Sequence, residues 1–396
     1  MAATAVTVLL ALWLAFSAIG LAGALVFAHQ RRRFGRLHFA IPSPAPRVAV
    51  IVPIKGSGAD AARCLGAILG QDYPAYRVIV AVESADDPAL RVARAAAAGS
   101  DITIAIADAG HAAARGQKVQ NLLAALAALA PDEEIVCFAD GDALWARDTL
   151  SVLVRELSAW DIPVLLSGNR WLFPSALKPG AILAAAASLP VSAGAKSPRW
   201  DLAWGGTMVA RRATLERIGV AQLWDRSLSD DVPLTNALRA AGMSVKLMPN
   251  LAVPSPCDFS LREALNFARR QYAMLRLYAP RHWLFSLCVH GAFLAGLGAA
   301  IAAFAAGMPA HAQWMAGAAL ALAPVRGFVH AGAAARALPK DVAARLRPSL
   351  ALEALVPLVP ALLHAYGLAA TVSVRRLRWA GIVYAMEKGR VARAER

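Results

Sequence analysis

Cysteine is scarce in this chain of 396 residues. The few cysteines form no CxxC motif and lie far apart, at Cys64, Cys137, Cys257 and Cys288. A structural zinc site or a disulfide framework needs paired or closely spaced thiols. The sequence therefore indicates neither, and we expect buried thiols instead.

Formal charge is absent from Ala2 to Gln30, and a basic run, Arg31–Arg36, follows at once. About 20 apolar residues suffice to cross the hydrocarbon core of a bilayer. A secretory signal peptide carries its basic residues before the apolar run, whereas here they come after it. The sequence therefore predicts a retained transmembrane anchor over residues 1–30, with the arginines holding the following residues in the cytoplasm.

The C-terminal third contains further apolar segments, which are Trp283–Gly307, His311–His330 and Leu350–Val374. Arg326 and Glu353 lie inside the second and third of them and are unusual in a membrane span. Three crossings would leave the basic tail, residues 375–396, outside, against the positive-inside tendency. Two interpretations stay open: the last segment is re-entrant, or the rule fails here.

Basic residues outnumber acidic ones by 41 to 26, which gives a formal net charge of +15, and 58% of the residues are hydrophobic. Such a composition is too apolar for a purely soluble protein. The positive charge is concentrated beside the apolar segments, so anionic lipid headgroups explain it better than nucleic acid does. We expect an integral protein of the bacterial inner membrane that binds no nucleic acid.

Between Arg47 and about Pro280, short β-branched runs alternate with alanine- and leucine-rich stretches. The predicted strands are Val48–Pro53, Val78–Val82, Ile102–Ile106 and Ile135–Ala139. The predicted helices are Ala59–Leu69, Pro88–Ala98, Lys118–Ala130 and Asp148–Ser158. This order predicts an α/β fold with a mostly parallel sheet. We divide the chain into an anchor (1–30), a cytoplasmic domain (31–282), C-terminal transmembrane or re-entrant segments (283–374) and the tail.

Polar side chains follow three of the predicted strands at their carboxyl ends, where ligands bind in parallel sheets. They are Lys55-Gly56, Glu83–Asp87 and Asp140-Gly141-Asp142. Of eight histidines only His38 and His111 lie between the predicted anchor and Pro280, so a histidine-ligated zinc or copper site is not expected. Carboxylate oxygens suit Mg²⁺ or Mn²⁺. The acids and the lysine together fit a nucleotide diphosphate held with a divalent metal, although D-x-D by itself also fits a solvated turn.

Several short motifs follow one another along the chain. They are Pro53-Ile54-Lys55-Gly56, Gln71-Asp72-Tyr73-Pro74, Glu83–Ala89, Gly116–Leu122, Asp140-Gly141-Asp142, Trp204–Met208 and Leu228–Asp231. In this order they resemble the membrane-bound, family 2-like glycosyltransferases with the GT-A fold, and the ceramide glucosyltransferase type in particular. The resemblance covers residues 47–280, and the layout of anchor and C-terminal apolar segments is similar as well.

The resemblance implies roles for individual residues. Nucleotide contacts would come from Lys55, Glu83, Asp86, Asp87, Lys118 and Asp140. Asp140 and Asp142 would position the metal on the diphosphate, and the catalytic group would be Asp230, Asp231 and Arg270, with Asp231 as the general base. Other interpretations stay open: Lys118 as a solvated first-turn lysine, Asp87 as an N-cap with Pro88 at N1, and one of Asp230 and Asp231 as a helix cap.

The sequence departs from the resemblance at the (Q/R)-x-x-R-W motif. The corresponding segment is Phe267–Gln271, so the central arginine is present as Arg270, while Phe267 and Gln271 replace the first polar residue and the tryptophan. This departure puts the sugar, the acceptor or both in doubt. A second interpretation is that Leu261–Tyr278 is a basic amphipathic helix on the membrane face. Near the C-terminus, Trp379–Tyr384 resembles the W-x-G-x-x-Y motif of related transferases, which favours a cytoplasmic tail.

The resemblance implies an inverting, metal-dependent enzyme. It would move a hexose, glucose for the ceramide glucosyltransferase type, from a UDP-sugar to the hydroxyl group of a membrane lipid such as ceramide. Mg²⁺ or Mn²⁺ is the expected cofactor, and the bilayer, the lipid acceptor and the nucleotide sugar are the expected partners. Two alternatives remain, a processive polysaccharide synthase and a non-enzymatic membrane scaffold with the same fold.

Overall fold

The computed structural model describes residues 2–34, 40–56, 58 and 60–396. Four residues named in the sequence analysis lie outside this part of the chain. They are Gly35 and Arg36 of the basic run, His38, and Ala59 at the start of the first predicted helix.

The chain alternates helices and strands through most of its length. The helices are α1 (Ala2–Phe34), α2 (Ala61–Leu69), α3 (Pro88–Ala97), α4 (Gln117–Ala127), α5 (Thr149–Ser158), α6 (Pro179–Ser192), α7 (Arg212–Arg217), α8 (Val220–Leu223), α9 (Asp231–Ala240), α10 (Leu261–Tyr278), α11 (Pro280–Ala305), α12 (Ala310–Ala337), α13 (Lys340–Arg345), α14 (Arg347–Leu355) and α15 (Leu358–Ala369). The strands are β1 (Val48–Pro53), β2 (Tyr76–Val82), β3 (Ile104–Asp108), β4 (Ile135–Ala139), β5 (Val164–Pro174), β6 (Thr207–Arg211), β7 (Ser244–Cys257), β8 (Arg376–Trp379), β9 (Ile382–Glu387) and β10 (Arg390–Glu395).

These elements form two compact units that interleave along the chain. The helical unit consists of residues 1–33, 171–195 and 257–374, and the sheet unit consists of residues 34–170, 196–256 and 375–396. The consecutive division predicted from sequence differs from this arrangement at three places. The segment 171–195, with α6, and the helix α10 belong to the helical unit, while the basic tail belongs to the sheet unit.

The sheet unit is built on a seven-stranded sheet with the order β3-β2-β1-β4-β6-β5-β7. Its first four strands pair in parallel, and β6 runs antiparallel to its neighbours β4 and β5. Val48, Val50 and Val52 of β1 face one hydrophobic cluster, whereas Ala49 and Ile51 face another. Both faces of the strand are therefore covered, which explains its continuous apolar sequence. The predicted α/β class with a mostly parallel sheet is confirmed.

The strands β5, β6 and β7 were not predicted. The last of these contains Pro249, Pro254 and Pro256 and occupies one edge of the sheet. Proline cannot donate a backbone hydrogen bond to a neighbouring strand, so it is tolerated at an edge and argues against a strand in most sequence patterns. The strand β6 pairs with β4 and β5. Its pairing with β4 brings Trp204-Gly205-Gly206, which precede β6, to the carboxyl end of β4.

Among the described residues, the helical unit contains three helices that are long and apolar enough to cross a membrane: α1, α11 and α12. Its small residues allow close packing, because a Cβ atom added at Gly296 of α11 would lie 2.4 Å from Cβ of Trp13 in α1. The indole of Trp13 also contacts Phe293 edge-to-face, with 5.7 Å between ring centroids. Small residues at helix contacts are typical of packing in membranes, where apolar burial alone gives no driving force.

The charged residues inside the predicted spans pair with one another. Nε of Arg326 in α12 lies 3.2 Å from Oε1 of Glu353 in α14, and Nδ1 of His330 lies 2.9 Å from Oε2 of the same carboxylate. The Glu353 side chain is only 3% exposed. Pairing of this kind lowers the free-energy cost of ionisable groups at membrane depth. It accounts for the presence of Arg326 and Glu353 in apolar segments.

The third predicted C-terminal span is a pair of helices, α14 and α15, bent by 88°. The tail beyond it forms an antiparallel sheet of β8, β9 and β10, and this sheet is part of the sheet unit. The backbone N–H of Val391 donates to the carbonyl of Arg226 at 2.8 Å, and that of Ala394 donates to the carbonyl of Ala113 at 2.7 Å. Because the tail lies on the same side of the membrane as the sheet unit, an even number of crossings separates them. An even count would result if α11 and α12 cross and the bent pair is re-entrant, and this topology stays a prediction.

This topology predicts the side on which introduced cysteines react. In a Cys288→Ala background, Arg390→Cys in the tail and Asp161→Cys before β5 should be labelled from the same side of sealed vesicles, because both positions are exposed in the sheet unit. Ala306→Cys, between α11 and α12, should be labelled only from the other side. A membrane-impermeant maleimide applied to right-side-out and inverted vesicles makes the comparison. Labelling of Arg390→Cys and Asp161→Cys from opposite sides would contradict the even number of crossings.

Candidate active site

The carboxyl end of the parallel strands brings Lys55 and Glu83 together, as their positions after β1 and β2 predict. The ammonium group of Lys55 forms an ion pair with Oε2 of Glu83. Nδ1 of His111, beyond β3, lies 2.8 Å from Oε1 of the same carboxylate. Burial raises the pKa of Glu83, but the hydrogen bonds from Lys55 and Arg396 together outweigh burial, so the net pKa is below its ordinary value. Glu83 is thus an ionised, 8% exposed side chain at the sheet edge.

Asp87 has a clear local role. Its Oδ1 accepts hydrogen bonds from the backbone N–H of Ala89 at 2.9 Å and from that of Gly56 at 2.8 Å. With Pro88 at the first position of α3, this geometry confirms the interpretation of Asp87 as an N-cap. Asp87 also holds the loop after β1 through Gly56. Asp86 is exposed beside it, and the nucleotide contact expected of both acids stays a prediction.

Lys118 lies between two carboxylates. Its Nζ is 2.8 Å from Oδ1 of Asp140 and 2.9 Å from Oδ2 of Asp230, and its side chain is 16% exposed. Burial lowers the pKa of Lys118, but Asp140, Asp230 and Asp231 raise it more, so the net pKa is raised and the amine stays charged. Burial also raises the pKa of Asp230 to about 6, although Lys118 opposes this shift. The interpretation of Lys118 as a solvated lysine is wrong.

Asp231 begins α9, and both of its carboxylate oxygens are held. Oδ2 accepts a hydrogen bond from the backbone N–H of Gly205 at 3.1 Å. Oδ1 accepts from the hydroxyl of Ser229 at 2.6 Å and from the backbone N–H of Val232 at 2.7 Å. Asp230 occupies the N-cap position of α9 but makes no side-chain cap hydrogen bond. The two acids therefore have different partners: Asp230 contacts Lys118, and Asp231 contacts Gly205.

Two glycines permit this close arrangement. A Cβ atom at Gly205 would lie 2.4 Å from Oδ2 of Asp230 and 2.7 Å from Nζ of Lys118. A Cβ atom at Gly206 would lie 2.1 Å from the ring of Trp204. Any side chain at either position would push apart the groups it meets, so the Trp204-Gly205-Gly206 motif has a steric explanation. Trp204 itself is partly buried and packs on the core beside the motif.

Asp142 contacts two residues that sequence reasoning did not identify. Its Oδ2 accepts from the hydroxyl of Ser255 at 3.0 Å and lies 3.4 Å from a guanidinium nitrogen of Arg170. Arg170 also donates to Ser255 at 3.0 Å and lies over the ring of Trp204, 5.6 Å from its centroid. Arg170 is on β5 and Ser255 on β7, so the signal that could have found them is the assignment of those two strands.

The donor set at the end of β4 fits a hard divalent cation. The side chains of Asp140 and Asp142 are 25% and 47% exposed, so their oxygens are accessible to a ligand. Within the described residues, no group of three or more His, Cys, Asp and Glu side chains could hold a metal alone. Mg²⁺ and Mn²⁺ sites with one or two carboxylates are completed by water and by phosphate oxygens of the substrate. Asp140 and Asp142 could hold the ion in that way.

Arg270 is not among these residues. It lies on α10 of the helical unit, with its guanidinium 5.4 Å from the centroid of the Phe267 ring. Phe267 in turn contacts Phe259, with 5.4 Å between ring centroids. The aromatic residue at the altered position of the motif therefore packs in an aromatic cluster beside the arginine. The catalytic role of Arg270 stays a prediction.

The tail contributes two further residues that sequence reasoning did not place here. The guanidinium of Arg396 donates to Oε1 of Glu83 and, at 2.7 Å, to Oε1 of Gln117. The hydroxyl of Tyr384 accepts from the backbone N–H of Gln117 at 3.1 Å. The W-x-G-x-x-Y motif pointed to Tyr384 without a role, whereas no local pattern marks Arg396.

Several solved structures are similar to this chain at low identity. A mannosyltransferase from Pyrobaculum calidifontis, solved with GDP-Man and Mn²⁺, is 21% identical, with 92% of this chain and 98% of that chain covered and a TM-score of 0.49. S. aureus TarS 1–349 is 14% identical, with 87% and 98% covered and a TM-score of 0.35. The glucosyl-3-phosphoglycerate synthase from Mycobacterium tuberculosis is 16% identical, with 61% and 82% covered and a TM-score of 0.38. Similarities at this level carry no information about the donor or the acceptor.

No curated protein matches the sequence. The model of glycosyl transferase family 21 matches residues 12–392, nearly the whole chain. This match confirms the resemblance to the ceramide glucosyltransferase type and the prediction of an enzyme that transfers a glycosyl group. With its α/β sheet unit and its apolar helices, the chain belongs to glycosyl transferase family 21.

Proposed function

We propose that this enzyme transfers a hexose, glucose in the first instance, from a UDP-sugar to a lipid hydroxyl such as that of ceramide, with inversion at the anomeric carbon. The reaction would take place at the cytoplasmic surface of the membrane. One observation supports the proposal above the others: a fixed carboxylate, Asp231, begins the helix directly after Asp230, and Asp230 pairs with Lys118, which also pairs with Asp140. The proposed base therefore directly follows the acid that holds Lys118, the lysine proposed to contact the diphosphate.

Asp231 is suited to act as the general base. In the proposed reaction, the acceptor oxygen attacks the anomeric carbon and passes its proton to the Asp231 carboxylate. The bond from the anomeric carbon to the diphosphate oxygen breaks, and its electron pair leaves with UDP. The hydrogen bonds from Gly205 and Ser229 fix the orientation of the carboxylate, so positioning supplies much of its effect. A single displacement inverts the configuration.

The positive groups along the sheet edge are suited to a diphosphate. Lys118 is charged and buried, and Lys55 is half-exposed beside Glu83. An entering diphosphate would compete with Asp140 and Asp230 for Lys118. A divalent cation at Asp140 and Asp142 would neutralise the charge that develops on the departing diphosphate.

The helical unit supports a membrane lipid as acceptor. Three of its helices could cross a bilayer, and α10 is a capped helix with arginines at Arg262, Arg269, Arg270 and Arg276. A lipid hydroxyl in the headgroup region would be held at the membrane surface together with the enzyme. The alternative of a processive polysaccharide synthase needs a channel for its polymer. Two crossing helices and a bent pair in the C-terminal segment are few to enclose one, so we favour transfer of a single sugar.

Replacement of the base should separate chemistry from binding. Asp231→Asn should lower kcat by about 10²- to 10⁴-fold, because the amide cannot accept the proton, while the dissociation constant of UDP changes little. Steady-state transfer assays and calorimetric titration with UDP measure the two quantities. The matched control is Asp225→Asn, since Asp225 is 58% exposed and pairs only with Arg115 among the ion pairs of the described residues. An Asp231→Asn enzyme with undiminished kcat would refute the base assignment.

Removal of one carboxylate should weaken the binding of metal. In the presence of saturating UDP, Asp142→Asn should raise the dissociation constant of Mn²⁺ by about ten-fold or more, because one charged oxygen ligand is lost. Calorimetric titration of Mn²⁺ into the UDP complex gives this value. Asp148→Asn, an exposed acid before α5, serves as the control. Equal Mn²⁺ affinity in the two variants would show that Asp142 does not bind the ion.

The donor and the acceptor can be tested together. Membranes that contain the enzyme should convert extracted lipid to a product heavier by one hexose with UDP-glucose and Mn²⁺, as read by mass spectrometry. UDP should also raise the melting temperature of the purified protein, because a ligand that binds only the native state stabilises it. GDP serves as the comparison nucleotide. Products with several sugars would favour the processive synthase, and stabilisation by GDP alone would contradict the UDP-sugar donor.

A further inference from the structure

The C-terminal sheet is joined to the two loops that precede the helices of the site. Through β10, Val391 pairs with Arg226 in the loop before α9, and Ala394 pairs with Ala113 in the loop before α4. These two loops also bond to each other, because the backbone N–H of Gly116 donates to the carbonyl of Ser227 at 2.8 Å. The helix α4 begins with the residue before Lys118, and α9 begins with Asp231. The tail therefore connects the segments that carry the site's lysine and its base.

Tyr384 holds the start of α4. Its side chain is 1% exposed, and its hydroxyl accepts from the backbone N–H of Gln117, the first residue of the helix. The first N–H groups of a helix have no partner within the helix, so a buried one needs an acceptor from elsewhere. Tyr384 supplies that acceptor at the residue next to Lys118. The orientation of the first turn of α4 therefore depends on the tail.

Arg396 joins the nucleotide loop of β2 to the same helix. Its Nε donates to Oε1 of Glu83 at 2.8 Å, and another nitrogen donates to Oε1 of Gln117 at 2.7 Å. The amide of Gln117 is fixed in turn, since it accepts from the N–H of Ala112 at 2.9 Å and donates to the carbonyl of Gly110 at 2.9 Å. A planar guanidinium with several donors is suited to hold two acceptors at a set distance.

The contact also has an electrostatic consequence at Glu83. This carboxylate is buried, and a buried charge is stable only when it is paired and hydrogen-bonded. Lys55 contacts Oε2, while Arg396 and His111 contact Oε1. Arg396 therefore balances the charge of Glu83 from the side opposite Lys55, so that Oε2 is directed to the loop after β1. Without Arg396, the orientation of the carboxylate would rest on an exposed lysine and a histidine.

We propose that the C-terminal tail positions the donor-nucleotide site. Arg396 is the positioning residue of Glu83, and Tyr384 is the positioning residue of the first turn of α4, which carries Lys118. This inference rests on the proposed function, because that function gives Glu83 and Lys118 their contacts with the nucleotide. The C-terminal sheet would then affect the affinity for the donor. The roles proposed for the base Asp231 and for the metal ligands Asp140 and Asp142 do not change.

The test compares variants at Arg396 with a control arginine in β10, the strand that Arg396 directly follows. Arg393 is 69% exposed and pairs with Glu395 at the surface, so Arg393→Gln should leave UDP affinity and transfer unchanged. Arg396→Gln should raise the dissociation constant of UDP and the KM of the donor by about ten-fold, while kcat changes less. The reason is that the charge-assisted hydrogen bond from Arg396 to Glu83 is lost. Arg396→Lys keeps the charge and should recover part of the affinity. Tyr384→Phe should shift KM in the same direction.

The outcomes separate the inference from the proposed function. Calorimetry with UDP alone measures donor affinity without any need for transfer, so a wild-type protein that binds UDP but transfers no sugar refutes the function and still permits this test. A lower melting temperature for Arg396→Gln with unchanged UDP affinity would overturn the inference, because the sheet would then be structural only. If Arg396→Gln fails to fold, Arg396→Lys and Tyr384→Phe decide, and unchanged UDP affinity in both of them would also overturn it.

Discussion

The ion pairs of Lys118 with Asp140 and Asp230 are the interaction on which the geometry of the site depends. They join the end of β4, the first turn of α4 and the residue before α9 within 2.9 Å of one ammonium group. A buried ion pair is weak evidence of stability, but removal of one partner leaves an uncompensated charge and costs about 3–5 kcal/mol. The three elements are therefore fixed relative to one another. The close approach of Lys118 and Asp230 requires glycine at position 205, since a side chain there would enter the space between them.

A second group of charges repeats this arrangement further along the sheet edge. Glu83 is held by Lys55, His111 and Arg396, as Lys118 is held by two acids. In one group an acid is surrounded by a lysine, an arginine and a histidine, and in the other a lysine is held by two acids. Both groups pre-orient their central residue in the absence of substrate. A diphosphate and a cation entering together would add charges of both signs, so such a site can exchange internal pairs for pairs with the ligands with little change in net charge.

Local sequence patterns predicted the parallel half of the sheet and missed the rest. The bounds of β1 and β4 were predicted correctly because both strands are short, continuous apolar runs followed by polar segments, while β3 begins two residues later than predicted. The prolines of β7 hid that strand, and with it Ser255. Lys118 and Asp230 were both identified as site residues, but their pairing was not, because Asp230 lies more than a hundred residues away and only packing brings them together. The same holds for Arg396, whose contact with Glu83 spans 313 residues.

The tail also links the membrane segments to the chemistry. The sequence left the number of membrane crossings in the C-terminal third open. It has three apolar segments there, and the positive charge of the tail conflicted with an odd number of crossings. Hydrogen bonds of β10 to the loops before α4 and α9 make the tail part of the sheet unit, which favours an even number of crossings. The bend of 88° between α14 and α15 fits a re-entrant last segment. If the tail completes the donor site, the position of the membrane segments in the chain is constrained by catalysis as well as by anchoring: they must return the chain to the side where the nucleotide binds.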